Sequence, residues 1–488
     1  MSFLTLSSSD SILSEVSDNN PSILVMSYWH ATPHLETDYE IILTMLKRGN
    51  TVLHLDPSDI LPVSTCTDSG TSSYRSSLHA VLSSFSNYRY LQSHTNIHAR
   101  YDLLETINTS YEIEDLSSII YKGFVIGPCI KAYVIDQLRT ATPPPDQISP
   151  LACQAFLTAT LVIDILEHYI QCSTISAGII FNGRYPAAWA FRQFFLAHNI
   201  SVYYHERGST IYSYQLLDHM PHDYYSWLDS YNILRATNGS LTLSDLKQAE
   251  NWLSNKISKQ DQQSKNFGLS AQIGLTNSLN LPHDKIIITY FTVSFDEWMS
   301  LPSEIYPRSV WPDEFSALHS LLSIVNNFPE IHLILRVHPN NLNKHPMDQH
   351  RIHNTFLPSN ATLVPADSLV DSYELLSISH SIFTYGSSIG YEAAYLGKPV
   401  YIFGRCFYDT LDGIKSIKSY ANLLSIISQL PRKNSQISQK LLQPPSSSFY
   451  YYAFLRNQAS IPFSYYQPNS SMSGHFLGIP SEYMQLLR

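Results

Sequence analysis

The sequence predicts an α/β fold built from two Rossmann-like domains facing a cleft. Three observations predict it. A strand–helix–strand rhythm opens the chain between Pro21 and Leu55, and the same rhythm restarts at Lys285 and runs to Phe403. A polar stretch at 240–280, poor in aromatics, separates the two. At 488 residues the chain exceeds one typical core, and 44% hydrophobic residues give each half enough apolar surface for its own.

Residues 21–29 (PSILVMSYW) form a short apolar run bounded by polar residues, the pattern of a buried strand. Across 37–48, Ile41, Ile42, Met45 and Leu46 recur at helical spacing, with Thr37 as N-cap and Gly49 as stop. Residues 51–55 make the next strand. A polar loop follows at 62–77 and a proline-rich break at 140–150. Then come a long helix at 151–172, a strand at 177–181, a helix at 186–198 and a strand at 200–204, so the rhythm ends near His205.

A polar helix is expected near 243–257, ahead of a linker. In the second half, strands are expected at 286–291, 331–337, 361–364, 381–385 and 399–403, with helices at 315–327, 372–377 and 389–396. The tail is rich in Ser, Gln and Tyr, and its aromatic cluster at 449–454 is expected to pack back on a domain. The domain reading is therefore 1–240, a helix and linker at 241–280, 281–430, and an extension at 431–488.

Charged residues make up 14% of the chain and the formal net charge is -10, which argues against a nucleic-acid partner. Five cysteines, none in a CxxC pair, read as free thiols in a reducing compartment. With neither a signal-peptide pattern nor an 18-residue apolar run, a cytoplasmic location is expected, with possible peripheral contact to the inner membrane. GxxxxGK[ST], HExxH and DxD patterns are all absent.

Four constellations carry chemistry. Arg336-Val337-His338-Pro339 falls at the carboxyl end of a strand, the edge that faces the ligand crevice in an open α/β sheet. A histidine there can donate to a phosphate or assist a leaving group. From Tyr385 to Ala394 the chain passes from strand to helix through Gly386, Ser387 and Ser388, where free N–H groups and the helix dipole favour an anion. Glu392, one turn on, could accept from ribose hydroxyls; it fits equally a plain capping role. In the first half, Asn182-Gly183-Arg184 and His205-Glu206-Arg207 end adjacent strands. A carboxylate beside arginines can serve as base or nucleophile, or simply close a strand end as an ion pair. The fourth is the loop from His30 through Glu36 after the first strand, either a binding loop or a helix cap.

His338-Pro339, the DSYELL run from Asp371, the GSSIGYEA run from Gly386 and Gly397-Lys398-Pro399-Val400 together resemble the capsular polysaccharide biosynthesis family of glycosyltransferases. That family includes Kdo transferases that use CMP-Kdo. Bacterial sialyltransferases of GT-B fold and poly(glycerol phosphate) transferases share parts of the arrangement. The resemblance implies a metal-independent GT-B enzyme with no cofactor, whose partners are a nucleotide-activated sugar donor, CMP-linked by preference, and a glycan or lipid-linked glycan acceptor. His338 would contact the phosphate, Ser387 and Ser388 would bind it, and Glu392 would hold the ribose. Glu206 and His338 are the expected catalytic residues; His30, Glu36, Asn182, Arg184, Arg207 and Arg336 are expected to bind substrate. CDP-glycerol or a UDP-hexose as donor, a sugar-nucleotide 2-epimerase of the same fold, and a non-catalytic binding protein are the alternatives.

Overall fold

The computed structural model describes residues 22–63, 75, 78–91, 97–107, 112–208, 210–236, 274–411, 413–430, 460–468 and 474–476, with scattered positions between 247 and 258. Most of the helix expected near 243–257 and all of the aromatic cluster at 449–454 lie outside the described residues.

The first half runs β1 (Ser22–Met26), α1 (His34–Lys47), β2 (Thr51–Leu55), β3 (Tyr88–Leu91), a small hairpin of β4 (Ile120–Tyr121) and β5 (Phe124–Val125), α2 (Gly127–Leu138), α3 (Pro145–Cys172), β6 (Ile175–Phe181), α4 (Pro186–Ala197), β7 (Ser201–Arg207), β8 (Ser213–Leu217) and α5 (Tyr224–Ala236). The second half runs β9 (Ile286–Phe291), α6 (Phe295–Met299), α7 (Glu314–Val325), β10 (Ile331–Arg336), α8 (Pro346–His353), β11 (Ala361–Val364), α9 (Ser372–Ile378), β12 (Ser381–Thr384), α10 (Ser388–Tyr395), β13 (Val400–Ile402), β14 (Ile414–Ser416) and α11 (Tyr420–Ser428). Strands β15 (Ser460–Pro462), β16 (Tyr466–Pro468) and β17 (Gly474–Phe476) follow.

Two main sheets result, one ordered β15-β8-β7-β6-β1-β2-β3 and the other β11-β10-β9-β12-β13-β14. Every pairing in the second is parallel, and in the first only the two pairings of β8, with β7 and with β15, are antiparallel. Both faces are covered, as parallel sheets require. Along β1 the side chains alternate between two cores: Leu24 and Met26 join the cluster that holds α2–α4, while Ile23 and Val25 join the one beneath α1.

The expected two-sheet α/β architecture is present, with differences in detail. Helix α3 begins at Pro145, inside the stretch read as a break. Proline suits a helix start because the first N–H groups have no intrahelical acceptor; Pro150 lies within the helix. The run 145–171 is long and apolar enough to cross a membrane, yet its apolar side chains belong to the first core, packed on α2 and α4. Helix α2 and strand β8 had no counterpart in the sequence reading. Thr37 lies inside α1, its hydroxyl donating to the Pro33 carbonyl at 2.8 Å, and Pro33 takes the N-cap position. Asn360, one of the Asn-x-Thr triplets, is buried and donates to the carbonyls of Val325, Phe328 and Ile331.

Residues 460–468 return to the first sheet. β15 pairs with β8, and the buried Glu40 carboxylate accepts from the backbone N–H groups of Ser464, Tyr465 and Tyr466 at 2.7–2.9 Å. The two halves also share a core: Leu301, Ile305 and Tyr306 pack in the first-half cluster, and the Tyr224 N–H donates to the Ile305 carbonyl at 2.8 Å.

Candidate functional site

Strand order reverses in the second sheet between β9 and β12. From β9 the chain moves one way through β10 and β11; from β12 it moves the other way through β13 and β14. Connections leave on opposite faces at such a switch point, and the carboxyl ends of its strands open a crevice. A cavity of about 410 Å³ sits there, lined by Val293, Ser294, Glu297 and Trp298 after β9, His338 and Asn340 after β10, and Gly386, Ser387 and Ser388 after β12. Arg139, from the C-terminus of α2 in the first half, completes the lining.

His338 is fixed by its own backbone and ring. Its N–H donates to Thr292 Oγ1 at 2.8 Å, and its Nδ1 accepts from the Asn340 N–H at 3.1 Å. A ring that accepts at Nδ1 carries its proton on Nε2. Burial, reinforced by the Lys344 and Arg336 cations, pushes its pKa down to about 4. At neutral pH the ring is therefore an uncharged hydrogen-bond donor, not an acid poised to give up a proton.

The turn after β12 is held by Thr384, whose Oγ1 accepts from both Gly386 N–H at 3.2 Å and Ser387 N–H at 3.0 Å. Ser387 occupies the N-cap of α10 in extended conformation, but its hydroxyl makes no capping bond to the helix. The hydroxyl is not spent on the local role that a serine usually has there. The Gly390 N–H is taken by the Ser387 carbonyl at 2.9 Å, which leaves the N–H groups of Ser388 and Ile389 as the helix-start donors, so this edge attracts an anion. Gly404 backs the turn: its N–H donates to the Tyr385 carbonyl at 2.7 Å, and a β-carbon would collide with that same oxygen.

Opposite the turn, Asn340 Nδ2 donates to Ser294 Oγ at 3.0 Å and lies 3.4 Å from Glu297 Oε1. Asp296 is buried and ion-paired with Lys344. Burial lowers the Lys344 pKa against the opposing pull of Asp296.

The first sheet has its own switch point between β1 and β6. Parallel pairing sets Phe181 beside His205, so Asn182 falls next to Glu206. Asn182 adopts φ 63°, a left-handed conformation that Asn tolerates, followed by Gly183 at φ 90°. Asn182 Nδ2 donates to Glu206 Oε2 at 2.8 Å, and the Arg207 N–H donates to Oε1 at 3.0 Å. Beneath them His205 Nε2 lies 2.7 Å from Asp38 Oδ1, fully buried. Glu206 is half-buried and Arg207 exposed.

Other expected site residues are placed differently. Arg184 does not pair with Glu206. It reaches across to Ser300 Oγ at 3.1 Å in the second half and to Asp136 and Tyr185 in the first. His30 is buried against Asp56 at 3.3 Å, within a cluster that includes Arg75. Glu36 is 5% exposed; Thr32 donates to its Oε1 at 3.0 Å, its buried Oε2 has no hydrogen-bond partner among the described residues, and burial raises its pKa to about 7. Arg336 is buried and donates to the carbonyls of Pro365 and Ser368, holding that loop instead of facing the cavity. Glu392 is 3% exposed and accepts from Tyr373 Oη at 2.8 Å, which ties α10 to α9. Burial and internal partners keep the carboxylates of Glu36 and Glu392, and Arg336, from the open contact expected of them.

Fold and site define a two-sheet, Rossmann-like protein with an anion-attracting cavity at the switch point of its second sheet. Residues 307–422 match the family model described as Capsule polysaccharide biosynthesis protein, in agreement with the resemblance carried by His338 to Val400. Among solved structures, the chain is similar to KpsC of Thermosulfurimonas dismutans, titled a beta Kdo 2,4 transferase, at 14% identity and TM-score 0.39 over 64% of this chain and 88% of that one. It is also similar to UDP-GlcNAc 2-epimerase from Neisseria meningitidis, at 12% identity and TM-score 0.28 over 90% and 99%. A third similar structure is the spinosyn rhamnosyltransferase SpnG, at 11% identity and TM-score 0.26 over 90% and 95%. No curated protein matches the chain.

Proposed function

We propose that this chain is a metal-independent glycosyltransferase of capsular or surface glycan synthesis, taking an acidic sugar from a CMP-activated donor. The observation that carries the reading is the cavity in which neutral His338, the Ser387–Ser388 turn and Asn340 converge at the β9/β12 switch point. Its chemistry suits a phosphate: an uncharged N–H donor, a Ser387 hydroxyl not committed to capping, and a helix start. The match over 307–422 supports the glycan class, and the His-Pro and Ser-Ser elements support a CMP-linked donor.

In this reading the acceptor hydroxyl attacks the anomeric carbon, the bond from that carbon to the phosphate oxygen breaks, and the nucleotide leaves with the electron pair. His338 and the Ser387–Ser388 turn stabilise the charge that grows on the leaving phosphate. Glu206, oriented by Asn182 and the Arg207 N–H, takes the acceptor proton. We place this chemistry in the cytoplasm, where lipid-linked glycans are assembled.

A thermal-shift screen against CMP, CDP, UDP, GDP and their sugars tests the reading. CMP-linked ligands should raise the melting temperature most, by mass action. A rise with UDP-sugars alone, accompanied by release of UDP without an acceptor, would move the assignment to an epimerase.

A further inference from the structure

We infer that Arg139 is a phosphate-binding residue supplied from the first half to a cavity otherwise built by the second. The inference rests on the nucleotide-donor reading above and adds to it the residue through which donor occupancy is coupled to the seating of the two halves.

Four observations carry it. Arg139 lines the same cavity as His338, Ser387 and Ser388, and among the lining residues it is the only one from the first half. Its guanidinium is held loosely by two carboxylates, at 3.6 Å from Asp296 and 3.5 Å from Glu297, and its side chain is 30% exposed. A well-made arginine–carboxylate pair is shorter, about 2.7–2.9 Å. Asp296 already has Lys344 as a buried partner, so it does not need Arg139 for neutralisation.

The third observation is the backbone. Arg139 closes α2 at φ 53°, ψ 37°. Glycine is the usual residue at a left-handed helix end, and Asn the common substitute. Arginine there holds a backbone conformation that costs a residue with a β-carbon, and strain of this kind beside a cavity is a pointer to function. Fourth, the Arg139 carbonyl accepts from the His345 N–H at 3.2 Å. The residue is thus anchored through its backbone to the segment that follows His338-Pro339, which fixes where its side chain starts.

A phosphate bound against the α10 start would bring negative charge into reach of this guanidinium. Arg139 can then exchange a pair of long contacts for a bidentate one, since its planar fork matches phosphate geometry. The exchange releases Glu297, the exposed carboxylate of the cavity, from its cation.

The test uses the full chain and the variants Arg139→Gly and Arg139→Lys. Glycine removes the guanidinium and relaxes the left-handed backbone, so misfolding is not the expected result. Titration calorimetry measures CMP, UDP and GDP; ligand-observed NMR measures cytidine, uridine and guanosine. Arg139→Gly should weaken the nucleotide that the wild type binds by about 10- to 100-fold and leave its nucleoside unchanged, with Arg139→Lys in between. Wild-type nucleotide binding that survives within about 2-fold in Arg139→Gly overturns this inference alone. So does an equal loss for nucleotide and nucleoside, which would mark a purely structural role. Failure of the wild type to bind any of the three nucleotides overturns both the donor reading and this inference.

Discussion

Glu36 offers a prediction whose size follows from its surroundings. Its carboxyl sits in the first turn of α1, 5% exposed, with Thr32 on one oxygen and, among the described residues, no hydrogen-bond partner on the other. Burial is the leading cause that lifts its pKa from 4.5 to about 7. A folded pKa above the unfolded one means that the native state binds more protons between the two values. The group's contribution is therefore most favourable below pH 4.5 and is lost as pH rises through 7. Between pH 5 and pH 8 the wild type should lose about 2.5 kcal/mol from this one residue. Glu36→Gln has no proton to bind, so that loss disappears whatever constant cost the amide adds. Relative to wild type, the variant should gain roughly 5–10 °C in melting temperature from pH 5 to pH 8, since a domain of this size moves a few degrees per kcal/mol. Melting curves of both proteins at half-unit intervals, in buffers of matched ionic strength, measure it. Parallel curves would show that Glu36 is ionised and hydrated at neutral pH, and would return it to the list of groups open to a substrate.

Changing His338 or Ser387 to Ala should weaken nucleotide binding by roughly 1–3 kcal/mol in calorimetry with the fold intact; unchanged affinity in both would remove the cavity from consideration. Glu206→Gln keeps its bond to Asn182 in prospect but abolishes the charge, so single-turnover transfer should fall by about 10² or more while donor binding survives. Near-normal turnover in a stable protein would place the base elsewhere. Gly404→Ala forces a β-carbon onto the Tyr385 carbonyl, and should cost about 1–3 kcal/mol of stability and weaken nucleotide binding, because the displaced strand end leads straight into the Ser387 turn. A melting temperature equal to wild type would contradict that geometry.

The parts of the site that were legible in the sequence are those whose chemistry is local. His338-Pro339 after an apolar run, and Gly-Ser-Ser between a strand and a helix, announce themselves through strand-end position and turn chemistry alone. Glu297, Asn340 and Arg139 were missed because their meaning is not local. Glu297 rides on a five-residue helix too short for periodicity, and Arg139 reaches the cavity from the other half. A signal for the first was available: Phe295-Asp296-Glu297-Trp298 follows β9 at the same sheet edge as His338 follows β10. Register explains the neighbour of Glu206. With Phe181 opposite His205, Asn182 must lie beside Glu206, and Arg184, two residues further, is carried toward Ser300. Fold class was legible through the βαβ rhythm; α2 and β8 were not, since one has no clear apolar stripe and the other runs antiparallel after a short turn.

The two halves meet through contacts of unequal strength, and the inequality bears on how the cavity works. Leu301, Ile305 and Tyr306 are buried in the first-half core, and burying such side chains contributes about 1.5–3 kcal/mol each. Around the cavity the cross-contacts include Arg139 with Asp296 and Glu297 at 3.5–3.6 Å, the His345 N–H on the Arg139 carbonyl at 3.2 Å, and Arg184 with Ser300 at 3.1 Å. Partly exposed ion pairs of that length contribute about 0–1 kcal/mol. The apolar contact around 301–306 is the stronger of the two, so relative movement of the halves is easier on the cavity side. A charged ligand entering beside His338 adds its interactions at the weak side, where a small gain in free energy shifts the balance most, and the stronger apolar contact needs no change for that to happen.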